Sequence, residues 1–131
     1  RRLARNLLRD VVGRYVGNEP DSLFALNEIQ RVAALMKFEL ERGNVDELAN
    51  LLNYHWELSK KVDKGSTNTL IDQIFASIED FTAGKLVCGA GGGGFLQVIM
   101  KKGVTREQLR ERLSEIFAGS GVDVWNCTFV M

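Results

Sequence analysis

A glycine-rich segment constrains this chain more than any other feature. Residues 89–94 are Gly-Ala-Gly-Gly-Gly-Gly, so five of the six positions are glycine. Glycine loses more backbone entropy on folding than any other residue, and an ordinary turn between strands rarely carries so many. Bare backbone also permits positive φ, inward-facing amides that hold an anion, and direct contact between a ligand and the peptide groups. The segment is therefore predicted to be a functional loop.

The residues on either side of the loop separate three interpretations. A flexible linker is disfavoured because residues 86–88 and 95–100 are rich in β-forming side chains. Gly89, Gly91 and Gly94 match the spacing of a dinucleotide-binding fingerprint. That motif must open a helix, however, and the residues after Gly94 are typical of a strand. A Walker A loop is excluded because no Lys-Ser or Lys-Thr pair follows the last glycine. The loop is predicted to join two neighbouring strands.

Helical periodicity dominates the chain before the loop. Apolar spacing predicts helices over residues 3–16, 22–42 and 45–62, and a fourth from Thr69 that ends just before Gly84. Gly43 is the expected stop of the second helix. The residues expected to face inward on the third and fourth helices are Val45, Leu48, Leu52, His55, Trp56, Leu70, Ile71, Ile74, Phe75 and Ile78.

A fifth helix and a last strand are predicted after the loop. Thr105 and Gln108 have capping-box spacing and open a helix that carries Leu109, Leu113, Ile116 and Phe117. Residues 122–131 alternate in a manner typical of a strand. Three strands and five helices within 131 residues predict one domain, residues 1–131, of the α+β class.

Charge balance, apolar stretches and cysteine spacing indicate which classes of partner and site to expect. The chain has 17 basic and 17 acidic residues, which gives no electrostatic case for nucleic acid or an anionic membrane. The apolar stretches are too short to span a bilayer, and we expect a cytoplasmic protein. Cys88 and Cys127 show no metal-ligand spacing, so reduced, partly buried thiols are expected rather than a disulfide or a metal site.

The loop and its flanks resemble a known kinase motif. Residues 85–95 resemble the third conserved motif of the GHMP small-molecule kinases, and four glycines before Phe95 resemble the sugar-kinase branch. Within that branch the sequence is similar to L-fucose kinases, including the kinase half of bifunctional fucokinase/fucose-1-phosphate guanylyltransferases, with heptose-phosphate kinases next. Residues 2–8 and 55–61, and Thr67-Asn68 before Ile71-Asp72, are similar in the same order. The resemblance implies a small antiparallel sheet packed against several helices, with a fourth strand upstream.

The same resemblance implies that this chain is the C-terminal lobe of a longer ATP-dependent kinase. In such kinases the N-terminal lobe supplies the ATP-phosphate loop, a Mg²⁺-binding acid and, in many members, a catalytic Asp. No equivalent sequence is present here, so we expect no catalytic residue and no metal ligand in this chain, and no activity from it alone. ATP and Mg²⁺ are the implied cofactors of the parent, and the missing lobe is the implied partner.

Two functions of different class follow. In the first, the parent phosphorylates a sugar, with L-fucose at its anomeric hydroxyl as the implied substrate and a heptose phosphate as the alternative. In the second, the domain is non-catalytic and binds an anion or a partner strand. For the kinase, Gly91, Gly92, Gly93 and Gly94 are predicted to face the transferred phosphate, where inward-pointing amides stabilise spread negative charge. Gly89 and Ala90 are predicted to shape the turn.

Five further side chains are candidates for the site, each with a structural alternative. Lys85 supplies a positive charge near the loop or is simply solvated. His55 and Trp56 either contact a sugar or belong to the interior. Thr67 and Asn68 suit a hydroxyl-rich substrate, but helix capping accounts for this cluster equally well.

Overall fold

The computed structural model describes residues 20–88 and 95–119, together with Val122 and Val124. Within these residues the elements run in the order α1 (Pro20–Arg42), α2 (Val45–Val62), α3 (Thr69–Ser77), β1 (Thr82–Val87), β2 (Leu96–Met100) and α4 (Arg106–Ile116). Short 3₁₀ turns at Lys64–Ser66 and Glu79–Phe81 precede α3 and β1. The helix predicted over residues 3–16 lies outside the described residues. So does most of the strand predicted over residues 122–131, including Cys127.

Helices α1 and α2 form a hairpin whose turn was predicted from local signals. Gly43 takes a φ of 73° just after α1, a conformation that favours glycine. Its amide donates to the carbonyl of Leu40 at 3.1 Å, which satisfies one orphan acceptor of the helix end. Asn44 then caps α2, with its side chain accepting from the Glu47 amide at 3.4 Å. The predicted stop at Gly43 is confirmed.

The two strands form an antiparallel pair. Lys85 lies opposite Val98, and Val87 lies opposite Leu96. The register is irregular between Thr82 and Gly84. The observed strands confirm the predicted sheet, which in the described residues has these two strands.

Two apolar clusters make the core, and α2 contributes to both. One cluster joins the sheet to α3 and α4 and contains the buried side chains Trp56, Ile71, Ile74, Phe75, Ile78, Val87, Leu109 and Leu113. The other joins α1 to the second half of α2 and contains Ala25, Val32, Leu58 and Val62. Burial of apolar surface of this kind is the main driving force for the packing. Helix α2 is therefore the element that connects the helical hairpin to the sheet.

The end of the fourth predicted helix is wrong. Helix α3 ends at Ser77, and Gly84 lies inside β1 rather than just beyond a helix. The reason for glycine there is a close approach: an added Cβ would lie 2.8 Å from the carbonyl oxygen of Ala49 and 2.9 Å from its Cα. Both are backbone atoms of α2, so the neighbour cannot rotate away. Gly84 thus permits contact between strand and helix.

Three predicted burials are also wrong, and all three residues lie at or just beyond the end of an element. Val45 begins α2 and Leu70 is the second residue of α3; their exposed fractions are 54% and 49%. Terminal turns extend past the neighbouring element, so the periodicity continues where the contact has ended. Cys88 follows β1 directly, and its side chain is exposed rather than partly buried.

Helix α4 begins as predicted and is tied to the turn before the sheet. The Thr105 hydroxyl accepts from the Gln108 amide at 3.2 Å, while the Gln108 side chain accepts from the Thr105 amide at 2.8 Å, which completes the capping box. Arg112 donates to the Ser77 carbonyl at 2.9 Å and pairs with Asp80. These bonds hold α4 against the segment that leads into β1.

We expect Gly84→Ala to destabilise the chain by about 1–3 kcal/mol, the usual cost of forcing extra atoms into a packed contact. Urea unfolding measures the change. Gly43→Asn is the matched control, because nothing lies within 4 Å of the added Cβ and asparagine tolerates the positive φ. Equal stability of Gly84→Ala and the wild-type chain would show that the contact with Ala49 is not close.

Candidate functional site

The two described residues that flank the glycine-rich loop are joined by a backbone hydrogen bond. The Cys88 amide donates to the Phe95 carbonyl at 3.0 Å, one position beyond the last pair of the sheet. The predicted loop residues Gly89, Ala90, Gly91, Gly92, Gly93 and Gly94 lie outside the described residues. Because Cys88 and Phe95 are bonded to each other, the loop connects adjacent positions of the two strands, as predicted.

The base of this hairpin is open to solvent. The Phe95 side chain has an exposed fraction of 76%, and that of Cys88 is exposed as well. By contrast, the next pair inward, Val87 and Leu96, packs on the sheet side of the core. The loop thus starts where the core ends, at a place that a ligand or another domain can reach.

Lys85 lies on β1, three residues before the end of the hairpin. Its ammonium nitrogen is 5.8 Å from the centroid of the Phe75 ring, which permits a cation–π interaction. The side chain is half-buried rather than fully solvated. At about 3.3 Å per residue, the backbone of Lys85 is roughly 10 Å from that of Cys88 along the strand. The structure thus places the positive charge of Lys85, a residue of the sheet, beside Phe75 of α3.

Asn68 caps α3, and the neighbouring Thr67 bonds to the first turn of that helix. The Asn68 side chain accepts from the Ile71 amide at 2.9 Å, and the Thr67 hydroxyl donates to the Asp72 carboxylate at 2.6 Å. Capping thus accounts for the Asn68 side-chain oxygen, and the bond to Asp72 accounts for the Thr67 hydroxyl. The Asn68 side chain is nevertheless exposed and Thr67 is half-buried.

His55 and Trp56 are adjacent on α2 but lie in different environments. The Trp56 indole is 3% exposed and meets the Phe75 ring edge-on, with centroids 5.9 Å apart and an interplanar angle of 75°. It is part of the core, which was the structural alternative for this residue. The His55 ring is half-buried, with Nδ1 3.2 Å from the Ser59 hydroxyl oxygen. That hydroxyl donates to the His55 carbonyl at 2.9 Å, so its oxygen is placed to accept from Nδ1–H.

Burial lowers the pKa of His55 below its ordinary value of 6.5, because the charged imidazolium loses solvation. A hydrogen bond with the residue's own backbone acts in the opposite direction but is the smaller effect. The neutral ring is therefore the form that the folded chain favours.

A second ionisable group with a displaced pKa lies between helices α1 and α2. The Glu28 carboxylate accepts from the Arg31 guanidinium at 2.9 Å and from the Tyr54 hydroxyl at 2.8 Å. These two hydrogen bonds lower the pKa of Glu28 to about 2. The group links α1 to α2 at the surface and was not singled out by the sequence analysis.

Asn53 is the other residue that sequence reasoning missed. Its side-chain nitrogen donates to the Ala83 carbonyl at 2.9 Å, and its side-chain oxygen accepts from the Lys85 amide at 3.0 Å. An asparagine next to Leu52 in an otherwise apolar, periodic helix face was the available signal. Such a polar interruption indicates a hydrogen-bond partner, but nothing local identifies which one.

Two further properties belong to the part of the chain that the structure describes. No three Asp, Glu, His or Cys side chains come together there in an arrangement that could hold a metal ion. Among the same residues, none of the helices combines the length and the apolar composition needed to cross a membrane.

His55 gives a direct test of these surroundings because it is the single histidine of the chain. We expect an NMR titration of its ring to give a pKa below 6.5. Since the unfolded chain then binds the proton more tightly than the folded one, this residue's contribution to stability is complete above about pH 6.5. It is lost as the pH falls below that value.

His55→Gln serves as the control for that titration. Between about pH 7.5 and about pH 5 it should lose less stability than the wild-type chain, because it has no ring to protonate. A ring pKa at or above 6.5 would contradict the described burial.

Comparison with known proteins gives the chain its relatives. The family described as GHMP kinases C terminal matches residues 33–119. The chain is 30% identical over 125 residues to a bifunctional fucokinase/GDP-fucose pyrophosphorylase of Arabidopsis thaliana, and 31% identical over 114 residues to an L-fucokinase/L-fucose-1-P guanylyltransferase of Bacteroides fragilis. These alignments cover 95% and 87% of this chain, but only 12% of either relative. The chain thus spans about an eighth of the length of the curated relatives.

A solved structure shares the fold. The crystal structure of L. major mevalonate kinase in complex with R-mevalonate matches 95% of this chain with a TM-score of 0.80, over 38% of its own length and at 14% sequence identity. That likeness agrees with the helix-rich architecture and its small antiparallel sheet. The family match extends over more than half of the sequence, and the chain belongs to the GHMP kinase C-terminal family.

Proposed function

We propose that this chain is the C-terminal lobe of an ATP-dependent sugar kinase whose parent phosphorylates L-fucose at the anomeric hydroxyl. The observation that carries this proposal is the pair of fucokinase relatives, each of which aligns with most of the chain. Family membership supports the reaction class, and the two relatives support the sugar.

The geometry of the hairpin supports a role for the loop in that reaction. Phosphoryl transfer is catalysed mainly by positioning and by stabilising the charge spread over the transferred group. Backbone amides serve this purpose when they are held in place before the reaction. The bond between Cys88 and Phe95 fixes the two ends of the loop, and the exposure of both residues leaves the base accessible. We assign Gly91 to Gly94 to the transferred phosphate, with Gly89 and Ala90 shaping the turn.

The remaining candidates take lesser roles in this proposal. Thr67 and Asn68 contact the sugar from the N-terminus of α3, since the Asn68 side chain is exposed while it caps the helix. Lys85 supplies a positive charge near the loop, and His55 contacts the sugar. Trp56 acts from the core, by holding α2 against Phe75.

The cofactor chemistry belongs to the other lobe. Mg²⁺ would neutralise charge on the phosphates of ATP. The matched family is the C-terminal part of these kinases, and we assign the Mg²⁺ ligand, the ATP-phosphate loop and the base to an N-terminal lobe of the parent. We also propose a cytoplasmic location, because ATP is the phosphate donor.

The first test is ATP-dependent phosphorylation by the complete parent polypeptide. We expect L-fucose to be phosphorylated in preference to galactose and to a heptose 7-phosphate when the three are offered separately. Product formation is followed by coupled ADP release and by mass spectrometry of the sugar phosphate.

This chain alone is the control in that assay, and it should give no turnover because we assign the base and the metal ligand to the other lobe. Preference for the heptose phosphate would keep the kinase and replace the sugar. Silence of the parent on all three sugars would favour a non-catalytic domain that binds an anion or a partner strand.

The loop is tested in the parent by replacing Gly92 and Gly93 with alanine. We expect kcat to fall by about tenfold or more and stability to change little, since each added Cβ would push the phosphate away from the backbone amides or forbid a positive φ. Gly43→Ala is the matched control: it places a Cβ on a glycine with a φ of 73° that lies far from the two strands in sequence. Unchanged turnover in the loop variant, with the control also active, would remove the loop from the mechanism.

A further inference from the structure

The side chain of Asn53 binds the backbone of β1 as a neighbouring strand would. It donates to the Ala83 carbonyl and accepts from the Lys85 amide, at 2.9 and 3.0 Å. Backbone groups of alternate residues point to the same side of a strand, so both bonds lie on the side of β1 that faces α2. One primary amide thus satisfies a donor and an acceptor at once. A helix side chain here takes the place of a strand partner.

A second contact fixes the position of the same strand segment. Gly84 lies between the two residues that Asn53 binds, and its Cα approaches the backbone of Ala49 too closely to admit a side chain. Ala49 is four residues before Asn53, so the two share one face of α2, one turn apart. The pairing and the close approach select the same register. A slide of β1 along α2 would break both bonds and bring a side chain against Ala49.

This fixed segment leads directly to the exposed end of the hairpin. Cys88 is three residues beyond Lys85, and its amide closes the hairpin on the Phe95 carbonyl. Any shift of Lys85 relative to α2 is therefore passed along a short extended strand to both Cys88 and Phe95. No other side chain in the described part of the chain is shown bonding to the backbone of β1.

We propose that Asn53 is a positioning residue, which sets where the exposed base of the hairpin, Cys88 and Phe95, lies relative to α2. Its effect on turnover rests on the proposed kinase function. Asn53 acts through β1 and touches no substrate. Small displacements of groups that position a reacting substrate can cost large factors in rate, even when the altered residue is far from the chemistry.

The test compares Asn53→Leu with Val32→Ala in the complete parent. Leucine has nearly the size of asparagine but can neither donate nor accept. Val32 is fully buried between α1 and α2, and its truncation weakens the fold without touching β1. At a temperature where every variant is folded, we expect Asn53→Leu to lower kcat about tenfold or more, with little change in the KM for the sugar. Val32→Ala should keep the wild-type kcat despite a lower midpoint of thermal unfolding.

Asn53→Gln separates positioning from mere bulk. It retains the amide on a longer stem, and part of the lost turnover should return. A wild-type kcat in Asn53→Leu, or an equal loss in Asn53→Leu and Val32→Ala, would overturn the proposal.

Hydrogen exchange by mass spectrometry on the same parent variants gives a readout independent of activity. Peptides that cover residues 86–88 and 95–97 should exchange faster in Asn53→Leu than in the wild type, and at the wild-type rate in Val32→Ala. If the parent phosphorylates no sugar, the kinase proposal fails while this comparison still tests the positioning role. Unaltered exchange in those peptides would overturn it.

Discussion

The close contact between α2 and β1 is the constraint on which the rest of the structure depends. Where Gly84 meets Ala49, the two backbones approach within a distance that no side chain could occupy. The same helix contributes Trp56 to the core around the sheet and Leu58 to the core under α1. Helix α2 therefore positions both clusters. A change in the position of α2 relative to β1 would displace both the helical hairpin and the sheet.

The parts of this fold that could be predicted from the sequence are those in which cause and effect lie within a few residues. Gly43 ends α1, and Thr105 with Gln108 opens α4, by hydrogen bonds that span three or four residues. Gly84 and Asn53 could not be interpreted in that way. Their partners lie about thirty or more residues distant in the chain. From local signals alone, Gly84 was therefore interpreted as the residue that ends a helix, although it lies within a strand.

The same distinction between local and distant signals applies to the candidate site. The prediction that the glycine-rich loop joins neighbouring strands is confirmed by the pairing of Val87 with Leu96, because β-forming flanks are a local signal. The arrangement of the six loop residues stays a prediction. Periodicity could not decide whether His55 and Trp56 contact a sugar or belong to the interior. That pattern indicates which face of the helix a residue occupies, and not how deeply the residue is buried. The structure resolves the difference: the indole lies in the core and the imidazole at its margin.

A loop made largely of glycine also explains why its strands need such firm support. A two-stranded hairpin is only marginally stable alone, and a connection of six residues, five of them glycine, adds the entropic cost of closing a loop. Burial of β2 against the core offsets part of this cost, through Leu96, Val98 and Met100. Strand β1 gains its own support from the two Asn53 bonds and from the contact at Gly84. A glycine-rich loop supplies few side chains for packing, so the strands beside it depend on contacts elsewhere. For β1, helix α2 provides those contacts.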